Sequence, residues 1–221
     1  MARNLDAQGW AHVPGLLNSD ECHTTALLYS SIRHFRSQVH MARHGFGKGE
    51  YRYFSYPLPS LVAELRNGFY PHLVPIANRW HERMGMDVEF PSGHNEYLER
   101  CHTAGQLRPT PLLLRYGPGD FNCLHQDLYG EHVFPLQMAL LLSNPDTDFS
   151  GGEFVVTEQR PRMQSRVEVL PLMQGDAVIF AVNARPIAGS KGDYRVKMRH
   201  GVSTVRRGLR HCLGVIFHDA I

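Results

Sequence analysis

Beyond Pro111 the chain breaks into short apolar runs separated by turn-forming residues, and no other feature constrains its fold as strongly. The runs are Leu112–Tyr116, Phe134–Leu142, Glu153–Thr157, Arg166–Leu170, Asp176–Val182, Tyr194–Thr204 and Leu209–Phe217. Between them lie Gly117-Pro118-Gly119-Asp120, Asn144-Pro145-Asp146, Gly151-Gly152 and Gly175-Asp176. Runs of this length suit strands, and Gly, Pro, Asn and Asp supply the backbone angles that tight turns need. The pattern predicts a β-sandwich or barrel over 111–219. The most apolar stretch, Val133–Leu142, is broken by Pro135 and Gln137 and falls short of the ~18 residues of a membrane helix. No membrane partner is expected.

The first 110 residues read as a mainly helical supporting region of the same single domain. Asn18 and Glu21 have the spacing of a capping box, and Leu28, Ile32, Phe35 and Val39 follow at helical intervals. A second helical stretch is expected over Ser60–Met84, interrupted near Gly68 and Pro71, with Leu73, Ile76, Ala77 and Trp80 as its stripe. A third spans Gly93–Ala104 and stops at Gly105. The whole is an α+β chain.

The formal charge of +2 argues against a dedicated nucleic-acid partner, although a local basic patch survives a neutral total. Cys22, Cys101, Cys123 and Cys212 form neither a C-x-x-C pair nor a disulfide framework. Met1–Trp10 contains Arg3 and Asp6 and lacks the apolar core of a signal peptide, so a cytoplasmic protein is expected.

Fourteen histidines in 221 residues are many, and one pair stands out: His125-Gln126-Asp127. Side chains two residues apart on a strand share a face. One imidazole and one carboxylate thus begin a facial metal site, with His200 in the β-rich half as the candidate third ligand. Two histidines and one carboxylate leave the opposite face of an octahedral metal open, which suits Fe(II). Glu131 competes with Asp127 on chemistry alone; Asp127 is preferred because its offset from His125 needs no loop bending.

The ordered series Tyr116-Gly117-Pro118-Gly119-Asp120, His125-Gln126-Asp127, Gly151-Gly152-Glu153-Phe154, Gly175–Phe180, then His200-Gly201-Val202 through Gly208-Leu209-Arg210 to Phe217 resembles the Fe(II)/2-oxoglutarate-dependent dioxygenases, in their prolyl 4-hydroxylase-like branch. The resemblance covers about half the chain, Leu112 to Asp219. It implies a double-stranded β-helix, or jelly roll, with Fe(II) on His125, Asp127 and His200. It implies that Arg210 binds the distal carboxylate of 2-oxoglutarate, a role that the planar guanidinium fits by two parallel hydrogen bonds. Tyr116 would donate to the same cosubstrate. O2 would be consumed, succinate and CO2 released, and a peptidyl proline or small metabolite hydroxylated; the resemblance also admits ascorbate. The alternatives are a cupin-like jelly-roll metal-binding protein, which has no use for a buried arginine beside the metal, and a nucleic-acid demethylating dioxygenase, against which the near-neutral charge counts.

Other segments carry expectations of their own. His200 and Arg210 are expected on adjacent antiparallel strands, joined by a three-residue turn at Val205-Arg206-Arg207 or a bulge at Gly208. Gly45–Gly49 lacks the phosphate-loop pattern and reads as a flexible loop or lid. Tyr51, Tyr53, Phe54 and Tyr56 read first as packing, and Tyr129, Glu131 and His132 as a solvated loop or substrate contacts. His211 and His218 read as structural. Arg185, Lys191, Arg195, Lys197 and Arg199 form a basic segment, either solvated or a rim for an acidic partner.

Overall fold

The computed structural model describes residues 1–128, 130–190 and 192–221. Tyr129 and Lys191, both singled out above, lie outside the described residues. The chain begins with α1 (Ala2–Gln8), β1 (Trp10–Val13), α2 (Ser19–Leu27), β2 (Phe35–His40), β3 (Gly47–Lys48) and β4 (Glu50–Phe54). The long α3 (Ser60–Arg83) and α4 (His94–Thr103) follow. Then come β5 (Leu112–Tyr116), β6 (Phe121–His125), β7 (Leu136–Leu141), β8 (Phe149–Gly151), β9 (Phe154–Gln159), β10 (Arg166–Leu170) and β11 (Ala177–Ala181). The last strands are β12 (Ala184–Gly189), β13 (Gly192–Val202), β14 (Val205–Gly208) and β15 (Arg210–Ile216).

The strands form a major sheet in the order β1-β11-β7-β15-β5-β4-β2 and a minor sheet in the order β10-β9-β13-β6-β3, with β12 on β13. These antiparallel sheets face one another as a jelly roll, as expected. The run around β7 is apolar throughout because it is buried on both faces. Leu136, Met138 and Leu140 pack with Tyr70, Leu73 and Trp80 of α3 in one cluster, whereas Ala139 and Leu141 face the barrel interior with Phe154, Val178 and Phe180.

The mainly helical supporting region also carries strands, and three expectations are corrected. The supporting region is not only helical: β1, β3 and β4 pair with β11, β6 and β5, so the first 110 residues supply strands to both sheets. The capping box at Asn18 and Glu21 is formed, with hydrogen bonds of 2.9 and 2.8 Å, but α2 ends at Leu27. Phe35–His40 then pairs with β4, and Ile32 is left 78% exposed. Helical spacing of four apolar residues loses to sheet pairing, which satisfies every second backbone group of the edge strand. Likewise α3 runs unbroken through Gly68, Pro71 and Pro75. Tertiary packing of Val62, Leu65, Tyr70, Leu73, Val74, Ile76, Ala77 and Trp80, all buried, outweighs the hydrogen bonds that the prolines remove.

The third correction bears on the site. β13 and β15 are not hairpin partners. After Val202 the chain leaves the minor sheet, β14 pairs with β8, and β15 enters the major sheet between β5 and β7. Ser203 donates to the Glu153 carbonyl rather than pairing with Arg210. Gly208 does adopt a positive φ of 77°, for a different reason: a Cβ there would meet the Asp148 carbonyl oxygen at 1.9 Å. His200 and Arg210 therefore approach one cavity from opposite sheets.

A buried ion pair ties the helices to the barrel. Arg66 of α3 donates to Asp219 at 2.7 Å, to the Ile216 carbonyl at 2.8 Å and to Tyr56 at 2.9 Å, while His102 meets the second carboxylate oxygen at 2.8 Å. Burial pushes the Asp219 carboxyl up, but Arg66 and the hydrogen bonds from His102 and Tyr56 hold it below its ordinary range. Arg66→Met strands that carboxylate and is expected to cost about 3–5 kcal/mol of stability, read as a drop in the urea midpoint. An unchanged midpoint would show that the pair contributes nothing.

Candidate metal centre and cosubstrate pocket

His200 on β13 pairs directly with His125 at the end of β6, so both imidazoles point inward from adjacent strands. Their ring centroids are 4.1 Å apart. β6 ends at His125, so strand alternation alone does not place Asp127. Gln126 does so by turning outward, where its Nε2 donates to Asn183 Oδ1 at 2.7 Å and to the Met198 carbonyl at 2.8 Å. Asp127 then follows His125 inward, with its carboxylate oxygens 3.4 Å from His125 Nε2 and 3.4 Å from His200 Nε2. One ligand atom from each of the three residues lies within 4.8 Å of the others. Glu131 is not part of this cluster.

Second contacts orient the donors. His125 Nδ1 lies 2.8 Å from the Cys123 carbonyl, and donation there leaves the Nε2 lone pair facing Asp127. His200 is held by the faces of Phe180 and Phe154, at 4.5 and 6.1 Å between centroids. Burial pushes the Asp127 carboxyl up, yet hydrogen bonds and charge from the two histidines hold it well below the usual range. Burial and the charge of His125 keep His200 below its ordinary value, which favours the neutral, ligating form. Burial lowers His125 as well, but the carboxylate raises it to a value above normal overall.

Three arginines are almost fully buried, and two of them are neutralised. Arg66 has Asp219, and Arg185 pairs with Glu158 and donates to the carbonyls of Asp6 and Ala7. Arg185 is thus a core residue and not part of a basic rim. Arg210, 1% exposed, has no ion-pair partner among the described residues, and its Nε and Nη1 make no hydrogen bond. It sits opposite Tyr116 in the β15–β5 register, with the guanidinium 5.5 Å from the Tyr116 ring and 5.9 Å from that of Phe149. Burial raises the Tyr116 phenol far above its ordinary value, so the hydroxyl remains a donor; Asn122 Nδ2 lies 3.4 Å from it. A buried, unpaired cation is costly unless a ligand neutralises it. Arg210 and the His–Asp–His cluster line the same cavity of ≈ 200 Å³.

The cavity also recruits residues that the sequence did not single out as site residues: Phe46, Asn122 and Gln137. Gln137 had a signal, as a polar interruption of an apolar run. Phe46 had one too, as part of the glycine-rich segment read as a loop or lid; Asn122 had none. Tyr51 and Tyr53 line the cavity, while Phe54 is core and Tyr56 bonds Asp219. His218 is structural, accepting from the Phe134 amide at 3.2 Å; His211 lies outside the cluster. The glycine-rich segment is pinned to the barrel: Gly47 and Lys48 pair with Asn122 and Phe121, and the Phe46 carbonyl accepts from the Cys123 amide at 2.9 Å. A Cβ on Gly47 would lie 2.4 Å from the Phe121 carbonyl oxygen.

A jelly roll with a buried two-histidine, one-carboxylate cluster and an orphaned arginine defines a non-haem iron oxygenase of the 2-oxoglutarate class. Residues 49–220 match the family model Oxygenase-NA, described as "Oxygenase, catalysing oxidative methylation of damaged DNA", and the chain belongs to that family. A Mycobacterium tuberculosis protein named only as uncharacterized is 47% identical over 167 residues, 76% of this chain and 72% of that one. Among solved structures, the prolyl-4-hydroxylase of Pseudomonas putida is similar with a TM-score of 0.57 at 13% identity, over 96% of this chain and 94% of that one. The non-haem α-ketoglutarate-dependent epimerase SnoN of nogalamycin biosynthesis has a TM-score of 0.56 at 16% identity, over 96% and 79%. These two likenesses show the fold. The chain is an oxidoreductase, a dioxygenase that uses Fe(II), 2-oxoglutarate and O2, which sets the cupin-like alternative aside. No helix among the described residues is long and apolar enough to cross a membrane.

Because Arg210 is unneutralised without a ligand, Arg210→Met is expected to leave the metal-free protein as stable or raise its stability by about 1–4 kcal/mol, the opposite of Arg66→Met. Urea midpoints check this. A large loss of stability would mean that Arg210 already has an internal partner.

Proposed function

We propose that His125, Asp127 and His200 hold one Fe(II), that Arg210 and Tyr116 bind the distal carboxylate of 2-oxoglutarate, and that the substrate is a damaged base in a nucleic acid. The observation that carries the reading is the buried Arg210 guanidinium, with no ion-pair partner among the described residues and with Nε and Nη1 unbonded, in the same cavity as the three donors. The donors fit the metal: two imidazoles and one carboxylate held below its usual range converge within 4.8 Å of one another. When bound, the iron with 2-oxoglutarate and O2 supplies oxidation of a C–H bond, with release of succinate and CO2. The protein's own part is to orient both ends of the diacid and to keep the cavity dry with Phe154, Phe180, Val202 and Ile216.

The description of the family supports the nucleic-acid substrate, and the local surface agrees with it. Net charge averages over the whole surface and conceals its distribution. β13 turns Met198 and His200 inward while exposing Lys197 and Arg199 on its other face. Across β6, the segment carrying Arg43 and Lys48 presents Phe46, 45% exposed and stacked on His44 at 5.3 Å, at the cavity. Cations beside an exposed aromatic are what an unpaired nucleotide needs, a phosphate contact and a stacking face. This reading replaces the sequence expectation that set nucleic acid aside. The cytoplasm remains the proposed compartment, in keeping with four free cysteines.

Succinate release is the test, with alkylated oligonucleotides compared against proline-containing peptides and small metabolites. The alkylated strand is expected to stimulate turnover, with an affinity that falls about tenfold or more between about 50 and 200 mM salt. His125→Ala is expected to abolish turnover by at least about 100-fold, since even indirect support of a ligand is worth 10–100-fold. Stimulation by peptides or metabolites, and none by oligonucleotides, would overturn the substrate class.

A further inference from the structure

Gln137 is the residue of the cavity that the reading above leaves unused. It lies on β7, paired with Phe180 on one side and Ile216 on the other. Its neighbours on the inner face, Ala139 and Leu141, are apolar, as are Phe180 and Ile216. Gln137 is only 5% exposed, lines the cavity, and its Oε1 has no hydrogen-bond partner among the described residues. A buried amide oxygen in an apolar wall destabilises the fold when unsatisfied, and an aliphatic residue of the same length would avoid that cost.

The register locates Gln137 along the barrel. On β15, Arg210 begins the strand and Ile216 ends it; Gln137 pairs with Ile216. Gln137 is therefore at the end of the cavity remote from Arg210. It also neighbours Phe180, whose ring packs against the metal-site His200. If the diacid spans from Arg210 to the three donors, the space beside Gln137 is what remains for the substrate.

We propose that Gln137 is a specificity-determining residue: its side-chain oxygen accepts a hydrogen bond from an N–H on the substrate, next to the carbon that is oxidised. A nucleobase edge with an amino or ring N–H has this chemistry. The inference rests on the proposed placement of 2-oxoglutarate between Arg210 and the three donors. A site built to satisfy one buried acceptor rejects a ligand that lacks the matching donor far better than an apolar wall can.

Gln137→Met and Gln137→Leu test it, with an alkylated oligonucleotide as probe. The expected result has three parts. KM for the oligonucleotide rises about tenfold or more. The affinity for 2-oxoglutarate, titrated on the iron-loaded protein without oxygen, stays within about twofold. The thermal midpoint of the metal-free protein holds or rises, because an unsatisfied polar group has been removed. An unchanged KM in both variants would overturn the proposal. So would a fall of several degrees in both midpoints, which would make Gln137 a structural residue. Wild-type protein that gives no 2-oxoglutarate turnover with any oligonucleotide would instead defeat the underlying substrate reading.

Discussion

An unneutralised guanidinium inside a protein is a standing cost, and the pocket is organised around it. Arg66 and Arg185 show how this chain handles buried arginines when they serve the fold: each meets a carboxylate and accepting carbonyl or hydroxyl oxygens. Arg210 meets aromatic rings and empty acceptor directions instead. Stability would favour replacing it, and the proposed diacid would bring the missing negative charge. The same reasoning extends to Gln137 at the opposite end. Polar atoms without hydrogen bonds among the described residues, Arg210 Nε and Nη1 at one end and Gln137 Oε1 at the other, bracket a cavity that holds a preassembled His–Asp–His cluster.

The sequence disclosed the chemistry better than the path of the chain. His125 and His200 were legible as residues of paired strands, whereas Asp127 lies past the end of β6 and reaches the cluster without the strand period that suggested it. Arg210 was legible from the family pattern, but its placement was not. Spacing of ten residues reads equally well as a hairpin or as a crossover, and only the long-range pairing of β14 with β8 selects the crossover. The helical reading of Leu28 to Val39 failed for a related reason: an apolar spacing of three to four residues is a local signal, and pairing with β4 is a distant one. Phe46 was visible only as part of a glycine-rich loop or lid, and Asn122 left no trace, because their place at the cavity arises from β3 lying beside β6.

Fold and substrate are separate matters here. A prolyl-4-hydroxylase and an epimerase share this architecture at low identity, so the barrel alone fixes neither the substrate nor the outcome of the reaction. What distinguishes this chain is the wall facing the cluster, with Phe46, Tyr51 and Tyr53 on one side and Gln137 among aliphatic neighbours on another. Arg43 and Lys48 flank Phe46 in the sequence although the whole protein is nearly neutral. Both features are local, which is why composition argued the other way.

The most direct test is a crystal structure grown with Mn(II), a redox-stable stand-in for Fe(II), and 2-oxoglutarate. A single metal ion bonded to His125, Asp127 and His200, with the far carboxylate of the diacid on the Arg210 guanidinium, is the predicted result. A metal bound elsewhere, or a diacid that leaves Arg210 untouched, would contradict the account.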